Sequence, residues 1–123
     1  MIWEDAETLI IELIYIGLDL NPNLNFRNVV AGPDHACATY DYNGALGFRV
    51  QIGNNNFIEV PFIMIQTLFE ASVANNLVYN NHIFGLHYAD QLNGHGCHVH
   101  VVGKIFELSG VAEKVGNNYL IYE

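Results

Sequence analysis

The stretch from Gly96 to Tyr122, GCHVHVVGKIFELSGVAEKVGNNYLIY, constrains the fold more than any other part of the chain. Stepping about 100° per residue from Cys97 gathers Val101, Val102, Ile105, Phe106 and Leu108 on one arc. His100, Gly103, Lys104 and Glu107 fall on the opposite arc, and His98 points into the apolar one. Strand alternation over the same residues separates nothing, so the spacing predicts a helix over residues 97–109. Its polar face is expected in solvent, with His98 buried and His100, Lys104 and Glu107 exposed. Beyond Gly110, VAEKV and YLIYE flank Gly116-Asn117-Asn118, two strand-like runs around a hairpin turn.

Upstream elements follow from punctuation. An apolar helix is expected from about Trp3 to Leu20, with acids in its early turns to suit the positive end of the helix dipole. Asn21-Pro22-Asn23 would end it. Its core stripe reads Ala6, Leu9, Ile10, Leu13, Ile16, Gly17 and Leu20, while Ile11 and Tyr15 fall outside. Residues 26–60 read as a β-meander: FRNVV, a turn at residues 31–34, then ACATYDY and ALGFRVQIG around Asn43-Gly44, a hairpin signal because both positions tolerate φ > 0. Asn54-Asn55-Asn56 turns the chain into FIEV. Pro61 suits a first helical turn, and a helix over Phe62–Ala74 should bury Ile65, Leu68, Phe69 and Val73. A short strand near Leu77–Tyr79, a brief helix around Gly85–Leu92 and a turn at residues 93–96 complete the series.

The expected fold is α+β in a single domain, residues 1–123. An N-terminal helix and antiparallel meander occupy residues 1–60, and residues 61–123 form the other half. The order helix, short helix, turn, helix, two-stranded wing resembles a winged helix, a fold that usually binds nucleic acid; no diagnostic motif accompanies the order, so the resemblance speaks to fold more than to function.

Charge opposes that use. Acidic residues outnumber basic ones 13 to 4, for a net charge of −9. Residues 1–61 carry eight acids against Arg27 and Arg49, and residues 62–123 five against Lys104 and Lys114, so neither half is basic. A phosphate backbone would meet repulsion rather than counterion release. One lysine beside a glutamate on the last helix is a poor reader of base edges. The two cysteines, Cys37 and Cys97, fit a reducing compartment, the acidic start is unlike a signal peptide, and LIIELIYIGL is too short to span a bilayer. A cytoplasmic protein without membrane attachment is the expectation.

Three sets of residues are candidates for chemistry or binding. His95, Cys97, His98 and His100 form the densest group of transition-metal ligands, with His82 and His87 upstream and His35 and Cys37 in the meander. Cys97 and His100, at i and i+3, could chelate zinc together, but no standard ligand spacing is complete. Cys97 near a helix N-terminus could act as a nucleophile, yet no orienting partner or oxyanion motif accompanies it, and no phosphate-cradling loop or hydrolase elbow occurs. No catalytic residue is therefore assigned. His100, Lys104 and Glu107 on the last helix, with Ile11 and Tyr15 on the first, are the candidate partner-binding positions. The first helix carries more apolar surface than one face can bury, which points to a homodimer through it or through an exposed strand of the meander.

The function these features favour is a small, non-enzymatic acidic interaction protein, needing no cofactor, that engages a basic protein. An inhibitor or adaptor of a nucleic-acid-binding protein would fit, because clustered carboxylates can occupy sites shaped for phosphates. The alternatives are a metal-binding protein using the His95–His100 cluster and a winged-helix DNA-binding regulator.

Overall fold

The computed structural model describes residues 1–16, 36–42, 44–51, 57–94 and 96–123. The expected strand FRNVV, the end of the first helix, Asn43, the asparagine turn at 54–56 and His95 lie outside these residues. The architecture is α+β, with two antiparallel three-stranded sheets among the described residues.

The first helix, α1, runs over Trp3–Ile10 and continues as a π-helical turn, Ile11–Tyr15. That wider turn corrects the expected stripe. Trp3, Ala6, Ile10 and Ile14 are buried, whereas Leu13 and Ile16 stand half in solvent. Adding residues to the turn rotates Leu13 away from the core while Ile14 stays in line with Ile10.

The meander consists of β1 (Ala36–Tyr42), β2 (Ala45–Gln51) and β3 (Phe57–Pro61), in that spatial order. Tyr42 pairs with Ala45, so only two residues make the first turn. Gly44 adopts φ +81° there, a region that costs glycine nothing. Its N–H donates to the Asp41 carboxylate at 3.2 Å. Phe48, Val50, Ile58 and Val60 are buried and Arg49 and Glu59 exposed, as period-2 alternation demands.

Pro61 closes β3 at φ −68°, ψ 153°, and caps α2 (Phe62–Ala74) from the position before its first turn rather than from within it. Helix α2 buries Met64, Ile65, Leu68, Phe69 and Ser72. Val73, expected inward, is exposed, and Ser72 takes the inner position by returning its hydroxyl to Leu68 O at 2.6 Å.

A two-residue strand, β4 (Val78–Tyr79), follows. The single brief helix expected next is two: α3 (Asn81–His87) and α4 (Ala89–Gly94). Asn80 starts α3 by accepting from Ile83 N–H at 3.1 Å, an N-cap that the sequence reading missed.

Helix α5 (Cys97–Leu108) and the hairpin β5 (Ala112–Val115) and β6 (Asn118–Ile121) end the chain. β6 pairs with both β4 and β5, giving the order β4-β6-β5. The last half therefore runs helix, strand, two short helices, helix and hairpin, with the first strand returning to the hairpin's second. Aromatic rings knit it together. Phe106 meets Tyr79 edge-on at 5.4 Å and Phe69 at 6.3 Å, and Tyr79 lies 5.7 Å from Tyr119. Among the described residues, no helix is long and apolar enough to cross a membrane.

Candidate functional site

Helix α5 lies where the periodicity placed it, but its surroundings differ from expectation. His98 is buried, as its position in the apolar arc required. The opposite arc is not open. Gly103 is buried against the ring of Tyr119, and a Cβ at that position would overlap the ring. Here glycine is a packing requirement: its missing side chain lets the hairpin close onto the helix. His100, Lys104 and Glu107, expected in free solvent, are each half-buried in consequence. No residue of the twelve in α5 is fully exposed.

The polar groups on this arc serve one another. His100 Nδ1 lies 2.9 Å from the Tyr119 hydroxyl, and Lys104 Nζ donates to Glu107 Oε1 at 2.9 Å. Burial, with Lys114 nearby, lowers the His100 pKa below its usual 6.5. Burial, with the charge of Glu107, pushes the Tyr119 phenol up to about 12. Both shifts favour a neutral pair in which the Tyr119 O–H donates to Nδ1 of an uncharged imidazole.

The sign of the resulting pH dependence follows from linkage. Because the folded pKa of His100 lies below the unfolded one, the unfolded chain binds the extra proton. The His100 contribution is present above pH 6.5 and is lost as pH falls below it. His100→Gln is expected to flatten the stability profile just below pH 6.5, measured by urea unfolding across that interval. An unchanged slope would remove the pair from the account.

Among the described residues, the metal candidates are not assembled into one site. His98 donates Nε2–H to the backbone carbonyl of Glu59 at 3.1 Å and lies against the Phe84 ring, 5.3 Å between centroids. His100 turns to Tyr119, and Cys97 is half-buried with its thiol pKa raised, chiefly by burial. A raised pKa is the opposite of what a poised nucleophile needs. His95 and the side chains of His35 and Cys37 lie outside the described residues. Among the described residues, no three His, Cys, Asp or Glu side chains converge as metal ligands.

On the first helix, Tyr15 is committed largely inward. Its ring lies 5.9 Å from Phe48 and 5.7 Å from Phe62. An internal cluster rather than an interface thus accounts for much of its apolar surface. Ile11 lines a shallow cleft with Leu46, Pro61, Phe62 and Ile63.

One concavity among the described residues is one the sequence reading did not find. A groove of about 600 Å³ runs along β3, walled by Phe57, Glu59 and Pro61 on one side and by Tyr88, Asp90 and Gln91 on the other. Ile63 and Met64 of α2 and His98 of α5 complete it. The size suits a ligand or a short peptide segment. Glu59 and Asp90 line it, with no lysine or arginine among the described residues. These residues lie far apart in sequence, so no local pattern could have announced them. Compared with known proteins, the chain matches no family model, no curated protein and no solved structure.

Proposed function

We propose that the chain is a small acidic interaction protein that binds a basic protein partner, as an inhibitor or adaptor of a nucleic-acid-binding protein would. The observation that carries this reading is the burial of α5. A winged-helix reader inserts its last helix into the major groove, and no α5 residue is exposed to make such contacts. The basic side chains add little. Arg49 pairs with Glu59 at 3.0 Å and Lys104 with Glu107 at 2.9 Å, while Lys114 lies 5.9 Å from the centre of the Tyr119 ring. A net charge of −9 attracts a cationic partner and repels phosphate.

The winged-helix assignment of the last half is part of the proposal and rests on element order and on the β4-β6-β5 sheet. A cytoplasmic setting and a homodimer, through the first helical segment and its flanks, where Ile2, Leu13 and Ile16 are exposed, or through an exposed strand of the meander, belong to the same reading. No cofactor enters it.

Fluorescence anisotropy tests the central point, with a lysine-rich peptide, its glutamate-rich counterpart and a mixed-sequence DNA duplex as probes. Binding of the cationic peptide alone is expected, weakening as salt screens the charges. Tight, salt-sensitive binding of the duplex would overturn the reading in favour of a DNA-binding regulator.

A further inference from the structure

The groove beside β3 combines three features that favour one kind of occupant. First, among the described residues β3 is a sheet edge, because the order is β1-β2-β3. Second, its outward backbone groups can be assigned. The Glu59 carbonyl reaches His98, so it points away from β2, and antiparallel alternation leaves Ile58 and Val60 to bond with Val50 and Phe48. Phe57 shares the parity of Glu59. The N–H and C=O of Phe57 and the N–H of Glu59 therefore face outward, while His98 holds the remaining acceptor. Pro61, which has no N–H, ends the row.

Third, the lining is both apolar and acidic. Phe57 and Ile63 are largely exposed, and Pro61, Met64 and Tyr88 extend that surface inward. The Glu59 carboxylate shares its charge with Arg49. Asp90 is exposed at the opposite wall and makes no ion pair among the described residues.

We infer that this groove accepts an extended, lysine- or arginine-bearing segment of a partner protein, which adds to the sheet as a fourth strand along Phe57–Glu59. Main-chain hydrogen bonds to an open edge supply affinity, and side-chain pockets on either side supply selection. Alternate residues of the incoming strand would point into the Ile63–Met64–Tyr88 wall and toward Asp90. A second copy of this chain fits less well. Pairing β3 with itself brings together two chains of net charge −9 and sets Glu59 near its own counterpart, a like-charge contact across the new strand pair.

The inference rests on the proposed affinity for basic proteins, and the experiment separates the two. The ¹⁵N-labelled protein is titrated with acetyl-Lys-Val-Lys-Val-Lys-amide, with the same peptide N-methylated at both valines, and with the glutamate version. The expected result is that the first peptide shifts the Phe57 and Glu59 amides and slows exchange of the Glu59 N–H. Methylation should weaken binding about fivefold or more, through loss of main-chain hydrogen bonds. The surface substitution Asp90→Asn should weaken it about two- to fivefold. Equal binding by the methylated peptide, or shifts confined to other residues, overturns strand addition while leaving the affinity for basic partners standing. Failure of the lysine peptide to bind anywhere overturns both. Concentration-dependent shifts at Phe57 and Glu59 without peptide would assign the edge to a second copy and overturn the inference as stated.

Discussion

Truncating Phe106 to alanine is expected to destabilise the protein by about 3–5 kcal/mol, the range for removing a fully buried phenylalanine. Phe106 is 0% exposed. Its ring meets Tyr79 at 89° and Phe69 at 65°, and such edge contacts add to the area term. The three residues come from α5, β4 and α2, so the cavity would open where the sheet and two helices of the last half meet. Domains of this size are stable by about 5–15 kcal/mol in all, so the loss is a large fraction of the total. Urea unfolding followed by circular dichroism measures it. A midpoint lowered by more than about 1 M is expected with slopes typical of small proteins. A loss below about 1 kcal/mol, outside the usual range for such truncations, would mean that α5 is not the centre of the core.

The helical period in residues 97–108 and the turn residues of the last hairpin were legible because each depends on near neighbours. The paired strands β1 and β2 were legible for the same reason: Tyr42 opposite Ala45 leaves a two-residue turn containing Gly44. What sequence could not supply was the identity of the neighbour across space. Gly103 was placed on a polar arc by angle alone, and only the return of β6 shows that Tyr119 fills the space beside it. Leu13 was placed inward on a 3.6-residue period, which the π turn at Ile11–Tyr15 then broke. Leu77 sits at φ 65° in the turn before β4, a conformation that leucine seldom adopts and no local pattern foretells. The groove beside β3 was invisible for the same reason as the Tyr119 contact. Its walls come from β3, α2, α4 and the start of α5, and the His98–Glu59 bond that orients its edge spans 39 positions.

Gly103→Val provides the sharpest test of how the hairpin seats on α5. The valine Cβ would enter the space of the Tyr119 ring, and overpacking of this kind costs about 1–3 kcal/mol even after relaxation. Displacing the ring also breaks the 2.9 Å contact with His100 and removes Tyr119 from the shelter that raises its pKa. Two readouts should move together. Urea unfolding should show the loss of stability, and ultraviolet titration should show the Tyr119 phenol falling from about 12 toward its ordinary 10.0. Tyr119→Ala alone should also destabilise, because it empties a buried site. The double variant should be less damaged than the two losses added together, since valine then occupies space that the ring has left. A coupling of about 1 kcal/mol or more is expected for residues in direct contact. Additivity within about 0.5 kcal/mol, as for distant sites, would show that Gly103 and Tyr119 do not share this space, and α5 would regain an open face on which a partner could bind.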